Sequence, residues 1–395
     1  MIQLADTFTS RGNKFWNHPE ALEGLRNGSP KPVVSHIMLT DTCQHTCAFC
    51  SVATREGNSL APHQIKLYLD QLQPLGLKAV ILSGGGNPIL YKTNAGGGWD
   101  FNDVVQHIHS RGLEIGVITN GMPLVEYEVA NHYNQVHTIA KPERSGTAYF
   151  RRSWKTVRPE TLDKCTWIRI SMSGLDHKEN EVYVPDIDPS KTTLGFSYVA
   201  HDIYEVPEEP NHGKVSTADD LAPYGTSQRI RYFHERIHDL TQQIGDVVRT
   251  HRPRYVRLLP NCLEVEKIKG RCEQLQAIAD AIDPSVVFVQ YKPPEAPPAC
   301  WLGYLHPVLN SDGYVYPCDS CVLNKTANHK FAEPWRICRW DEIGNIYAQP
   351  ARSLIKNPAK QCPGCVFTKS NLLLQSIVDG APLQPGGDVE HPNFV

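Results

Sequence analysis

The sequence predicts an α/β fold built on a parallel sheet, open or closed into a barrel, followed by a small cysteine-rich C-terminal domain. Three observations carry this expectation. From about residue 34 to residue 292, short apolar runs alternate with amphipathic segments, the pattern of successive βα units. Four prolines in KPPEAPPAC then break that pattern near residues 292–299, since proline suits neither a helix interior nor a central strand. Beyond the break lie half of the 12 cysteines. The chain divides accordingly into an N-terminal extension (1–33), an α/β unit (34–292), a cysteine-rich domain (293–381) and a tail (382–395) expected to be flexible.

Taken in order, VVSHIML reads as a buried strand that ends at the polar TDTC. APHQIKLYLDQLQPLG carries Ile65, Tyr68, Leu69 and Leu72 at helical spacing, with Pro62 near its start and Gly76 at its end. KAVILSGGG is a second strand that runs into glycines. DFNDVVQHIHSRG repeats the helix signature through Phe101, Val104, Val105 and Ile108. EIGVITNG, TWIRISMSG and TTLGFSYVAH follow as strands three to five, with no convincing helix between Gly174 and Thr192. A long helix is expected with Ile230, Phe233, Ile237, Leu240, Ile244 and Val247 on one face, then strands at YVRLLPNC and SVVFVQY.

Composition narrows the function. The chain has 395 residues and a formal charge of −3, which neither requires nor excludes a polyanionic partner. No apolar run approaches the length of a membrane span, and the first twenty residues contain no uninterrupted apolar core of a signal peptide. A cytoplasmic protein with reduced thiols is expected, where clustered cysteines bind metal or do chemistry more often than they pair.

The tightest cluster is LTDTCQHTCAFCS, with Cys43, Cys47 and Cys50 directly after the first strand. Three thiolates are one short of a closed zinc site, which a histidine or distant cysteine could complete. They are also one short of the four ligands of a 4Fe–4S cubane, which would leave one iron open to a small molecule. The loop lies where parallel α/β sheets bind ligands, at the strands' C-terminal ends.

CQHTCAFC, with an aromatic before its third cysteine, resembles the signature of the radical S-adenosylmethionine (SAM) superfamily. The resemblance covers roughly residues 34–262 and implies a partial (β/α)6 barrel. It implies that Cys43, Cys47 and Cys50 hold a 4Fe–4S cluster whose open iron chelates SAM. One electron, from a reductant such as flavodoxin or ferredoxin, then cleaves SAM to a 5′-deoxyadenosyl radical that takes hydrogen from a substrate. SGGGNP falls where the family has a Gly-Gly-Glu-like motif for the SAM amino group, which implicates Gly85, Gly86 and Asn87. Asn87 departs from the acidic residue common there and offers an uncharged acceptor. In RISMSG, Ser171 and Ser173 share a face with Arg169 on the strand that often contacts the SAM ribose and carboxylate. VRLLPN resembles the segment that packs on the adenine, and Asn120 is a further candidate.

After the prolines, Asp312-Gly313 marks a hairpin that would bring Cys300 near Cys318, and CPGC adds Cys362 and Cys365. This layout resembles the SPASM or shorter Twitch extension of radical SAM enzymes, which implies a second, auxiliary 4Fe–4S cluster on Cys300, Cys318, Cys362 and Cys365. Cys321 and Cys338 are reserves, and the same thiolates would equally suit structural zinc. Cys165, Cys262 and Cys272 are isolated and read as packed thiols.

The substrate is less legible. KPERSGTAYFRRSWKTVRPE interleaves Lys141, Arg144, Arg151, Arg152, Lys155 and Arg158 with Tyr149, Phe150 and Trp154, a pattern that can track phosphates and stack bases. Glu143 and Glu160 dilute the charge, and a solvated basic loop is the competing reading. Some phage-encoded radical SAM proteins of this layout are isomerases that rearrange amino-acid-decorated thymidine in DNA. The resemblance therefore points to a nucleotide or nucleic-acid substrate in a host cytoplasm. Two alternatives stand beside it. One is an epimerase, dehydrogenase or thioether-forming enzyme on a small metabolite or peptide; the other is a non-catalytic Fe–S or zinc scaffold, against which the glycine and serine motifs weigh.

Overall fold

The computed structural model describes residues 4–10, 12–43, 45, 47, 49–50, 52, 55–93, 98–121, 129–130, 136–137, 157–176, 182–201, 203–204, 230–231, 237–261, 264–291, 297–319, 333–349, 365 and 367–395. Ten strands form one sheet: β1 (Val34–Ile37), β2 (Ala79–Leu82), β3 (Glu114–Thr119), β4 (Trp167–Ser171), β5 (Thr193–Ala200), β6 (Tyr255–Pro260), β7 (Val287–Val289), β8 (Val308–Leu309), β9 (Tyr314–Tyr316) and β10 (Cys338–Arg339). Their spatial order is β7-β6-β5-β4-β3-β2-β1-β8-β9-β10, so the sheet is open. Pairings from β7 through β8 are parallel, and β8-β9 and β9-β10 are antiparallel. This is the α/β fold of a partial barrel.

Local sequence explains the elements that flank the sheet. Helices α1 (Pro19–Arg26) and α2 (Pro62–Leu72) both start on proline, whose missing N–H would be unsatisfied there anyway. Helix α3 (Phe101–Ser110) starts at Asp100, whose carboxylate accepts the Asn102 and Asp103 amides. The expected apolar stripes of α2 and α3 are buried, and they face Val80, Leu82, Ile115 and Val117 on the sheet's outer side. Helices α4 (Pro159–Leu162), α5 (Ile237–His251) and α6 (Ile268–Ile282) continue that layer. Helix α5 begins later than the periodicity predicts, because Ile230 pairs in a two-residue ribbon with Tyr204 instead. The weak link before β5 has no helix over residues 182–192; an extended segment covers the sheet there through Val182, Val184 and Ile187.

Two expectations at the C-terminal end need correction. The cysteine-rich part does not stand apart from the barrel: β8 pairs with β1 in register His36↔Val308, so the predicted hairpin extends the same sheet. An open edge strand demands a partner, and β8 supplies it. Helix α7 (Leu302–Leu305) precedes that hairpin, α8 (Ile343–Ala348) follows it, and α9 (Thr368–Val378) packs beside α1. The tail is not loose either. Phe394 and Val395 are buried with Trp167 and Phe15, and Val395 O lies 2.8 Å from His306 Nδ1. Apolar burial at its last residues holds a segment whose proline and glycine content suggested mobility.

Candidate active site

Parallel strands end on one face, and the loops beyond β1 to β6 meet there. The loop after β1 is clasped at its base. The Thr40 hydroxyl accepts from the Ser59 hydroxyl at 2.8 Å and from the Thr42 amide at 3.1 Å, and Asp41 accepts the Glu56 amide at 2.8 Å. Such short polar side chains hold turns by bonding nearby backbone. The glycine run after β2 then folds against this loop, with Gly86 N–H 2.9 Å from Thr40 O and Asn87 N–H 2.9 Å from Thr42 O. A Cβ on Gly86 would stand 2.1 Å from Thr42 O. Glycine is needed there so that two backbones can meet, a role that sequence alone did not reveal.

Cys43, Cys47 and Cys50 line a cavity of about 380 Å³ at this face, a size typical of cofactor pockets. Gly85, Gly86 and Asn87 line it from the loop after β2, Asn120 from just past β3, Ser171 from the end of β4, and Ser173 from the 3-10 turn that follows it, not from the strand as expected. The structure thus brings together every residue that the sequence offered for the first site. Leu259, Pro260 and Asn261 close it beyond β6, and Phe49, the aromatic before the third cysteine, rests 4.7 Å from the His201 ring.

The thiols favour a cationic guest. Burial first, then the neighbouring Cys50 and Cys43, push the Cys47 thiol far up, while the facing Ser173 hydroxyl opposes the rise. Three thiolates that disfavour one another's charge need a positive group between them. Two donors already point at sulfur. Asn120 Nδ2 lies 3.9 Å from Cys43 Sγ, and Arg55 Nη2 lies 3.6 Å from Cys50 Sγ while Nη1 holds His45 O at 2.8 Å. Arg55 escaped the sequence reading; its one signal is a cation five residues past Cys50. Among the described residues, no three His, Cys, Asp or Glu side chains converge as for a single metal ion.

Asn87 is heavily engaged. Its Oδ1 accepts from the Thr119 hydroxyl at 2.8 Å and the Ile89 amide at 3.4 Å, and its Nδ2 donates to Asn120 Oδ1 at 2.8 Å.

The second cysteine set is partly assembled. Burial is the largest cause that pushes the Cys365 thiol up, and Cys318 adds to the rise. Asn371 on α9 links the region: Oδ1 accepts the Trp301 amide at 2.7 Å, next to Cys300, and Nδ2 lies 3.9 Å from Cys365 Sγ. Cys362, Cys321 and Cys262 fall outside the described residues. Cys338 belongs to the outer core with Tyr347, where burial pushes it up to about 12, and Cys165 is a core thiol as expected, while Cys272 is half-buried. Residues 141–156 of the basic stretch also lie outside the described residues, and Arg158 faces Asp103 at 3.9 Å.

Residues 37–138 match the profile of the Radical SAM superfamily. That match spans roughly a quarter of the chain and includes the cysteine loop, the glycine run and Asn120. Two curated relatives agree in kind: an S-adenosylmethionine-dependent nucleotide dehydratase of Selenomonas ruminantium is 29% identical over 86 residues, 22% of this chain and 29% of that protein. A mitochondrial lipoyl synthase of Yarrowia lipolytica is 29% identical over 171 residues, 42% of this chain and 45% of that protein. The matches therefore span less than half the length of either relative. Among solved structures, anSMEcpe with bound AdoMet and a peptide aligns at 11% identity and TM-score 0.45, covering 88% of this chain and 99% of that one. Streptococcus suis SuiB bound to S-adenosylmethionine aligns at 14% identity and TM-score 0.41, covering 76% and 64%. A radical SAM domain implies a 4Fe–4S cluster, SAM and an external reductant. Among the described residues no helix is long and apolar enough to cross a membrane.

Proposed function

We propose that the chain is a radical SAM enzyme whose cluster is held by Cys43, Cys47 and Cys50. The observation that supports it most is the meeting of those thiols with the glycines after β2, Asn120, Ser171 and Ser173 in one cavity. When bound, the cluster would supply the electron that cleaves SAM to methionine and a 5′-deoxyadenosyl radical, which abstracts hydrogen from substrate. Each residue's task follows from its place. Arg55 and Asn120 donate toward thiolate sulfur, which stabilises the electron-rich ligands. Gly85, Gly86 and Asn87 hold the SAM amino group, Ser171 and Ser173 its ribose and carboxylate, and Leu259 to Asn261 its adenine.

We further propose an auxiliary 4Fe–4S cluster on Cys300, Cys318, Cys362 and Cys365. Asn371, bonded both to Cys365 and to the segment beside Cys300, supports it, and Cys318 adds to the upward push on the Cys365 thiol. Anaerobic reconstitution should yield about eight irons per chain from two such clusters. Replacing Cys43, Cys47 and Cys50 with Ala should remove about half the iron and all reductive release of 5′-deoxyadenosine. Release that survives this change would sink the first proposal, and stoichiometric zinc at the C-terminal set would sink the second. For the substrate, the name of the Selenomonas relative favours a nucleotide. An isomerisation of amino-acid-decorated thymidine is the outcome to assay first, on DNA and on the free nucleotide.

A further inference from the structure

The Arg55 guanidinium clasps the cysteine loop at two points. Nη1 donates to His45 O at 2.8 Å, in the stretch between Cys43 and Cys47, and Nη2 donates to Cys50 Sγ at 3.6 Å. Arg55 also lines the cavity that the three thiols share. Its Nε is buried with no acceptor. The partners of this guanidinium among the described residues are therefore a carbonyl and a sulfur, with no carboxylate at ion-pair distance. The adjacent Glu56 turns instead to the Asn58 amide at 3.1 Å.

The two contacts have different effects. The bond to His45 O ties the guanidinium to the loop backbone, so its charge cannot swing away into solvent. The bond to Cys50 Sγ sets that tied charge against one candidate ligand sulfur. Arg55 is only partly exposed, so water screens it incompletely. Asn120 donates to Cys43 Sγ at 3.9 Å, but as a neutral amide. A charged donor makes the stronger hydrogen bond, by roughly a factor of two. Net charge and hydrogen bonds to sulfur are among the quantities that set the reduction potential of an iron–sulfur cluster. Reduction adds negative charge that iron, sulfide and thiolate share, so a cation fixed at a ligand sulfur favours the reduced form.

We propose that Arg55 is a positioning residue that sets how readily the cluster on Cys43, Cys47 and Cys50 takes its electron, by fixing a positive charge at Cys50 Sγ. The inference rests on the radical SAM reading for the cluster itself and adds to it a determinant of that cluster's potential. The electron comes from the external reductant, passes to the cluster, and makes or breaks no bond at Arg55. Lysine would replace arginine only in part. It keeps the charge, but a single ammonium lacks the planar fork that reaches His45 O and Cys50 Sγ together.

The test is a redox titration of the full-length, anaerobically reconstituted protein without SAM, with the reduced cluster read by low-temperature electron paramagnetic resonance. The signal that disappears when Cys43, Cys47 and Cys50 are all changed to Ala is followed, which separates it from any auxiliary cluster. Arg55→Gln should keep its iron and make this cluster at least tenfold harder to reduce, a midpoint lower by about 59 mV for one electron. Arg55→Lys should recover part of that shift. If Arg55→Gln takes up no iron, Arg55→Lys carries the test, with a smaller shift in the same direction. An unmoved midpoint in iron-replete Arg55→Gln, or in Arg55→Lys where it alone takes up iron, overturns the tuning role. Loss of iron in both variants overturns it too, and makes Arg55 a residue of loop folding alone. If wild type shows no reducible signal that depends on the three cysteines, the cluster reading itself fails, a result distinct from a signal that Arg55 does not move.

Discussion

In the proposed site, Asn87 would divide its bonds between fold and ligand. Its oxygen already accepts from Thr119 and Ile89, so an incoming ammonium must compete with them for the same two lone pairs. Asn87→Ala should therefore weaken SAM binding by about 1–3 kcal/mol, the range for a hydrogen bond to a charged group, and leave the cluster's absorption spectrum intact. Asn87→Asp should restore or improve binding, since a carboxylate can accept from Thr119 and the ammonium together. Equilibrium dialysis with labelled SAM measures both; unchanged affinity in the Ala variant would mean that backbone alone holds the amino group. The candidate ligands were legible in the sequence because thiols and glycines at short spacing are rare and chemically specific. Arg55 was not, because a single arginine in a loop looks the same whether it faces solvent or a sulfur.

At the scale of elements, the contact between the cysteine loop and the β2 glycines carries the most consequence. Gly86→Ala would drive a methyl group into Thr42 O, which is backbone and cannot rotate away. The chain must then either shift the cysteine loop or lose its two interloop hydrogen bonds. We expect a destabilisation of about 1–3 kcal/mol, the usual range for overpacking, and a marked loss of iron after reconstitution. Full iron content at an unchanged melting temperature would show that the loops meet differently. Strand and helix positions in the barrel followed from periodicity, since each apolar run is buried against the sheet. The fate of β8 did not, because two residues of strand carry too little pattern to say which edge they join. The start of α5 was misjudged for a related reason: Ile230 fits a helical stripe and a strand equally well. Composition misled at the tail, where Phe394 and Val395 outweigh the prolines and glycines before them.

For the whole molecule, the two termini act as one element. Phe8 stacks on Tyr255 at 4.3 Å, His391 Nε2 lies 3.1 Å from Thr193 Oγ1, and Asn393 reaches Glu114. All three partners are first residues of strands, so the termini cover the barrel end opposite the cysteine loop. This closure should depend on pH. Burial, then the Lys14 charge, lowers His391 to about 4 against an ordinary 6.5. Between those values the unfolded chain binds the proton and the folded one does not, so this contribution to stability is lost as pH falls from 6.5 toward 4. Glu390, Lys14 and Arg254 all act on His391 and shape the same window. The melting temperature of wild type should thus fall more steeply from pH 7 to pH 5 than that of His391→Gln, and parallel curves would assign the pH dependence elsewhere. The covered floor also constrains traffic. Among the described residues the termini stop that end, so a ligand of the cavity at the other end would come and go past the cysteine loop.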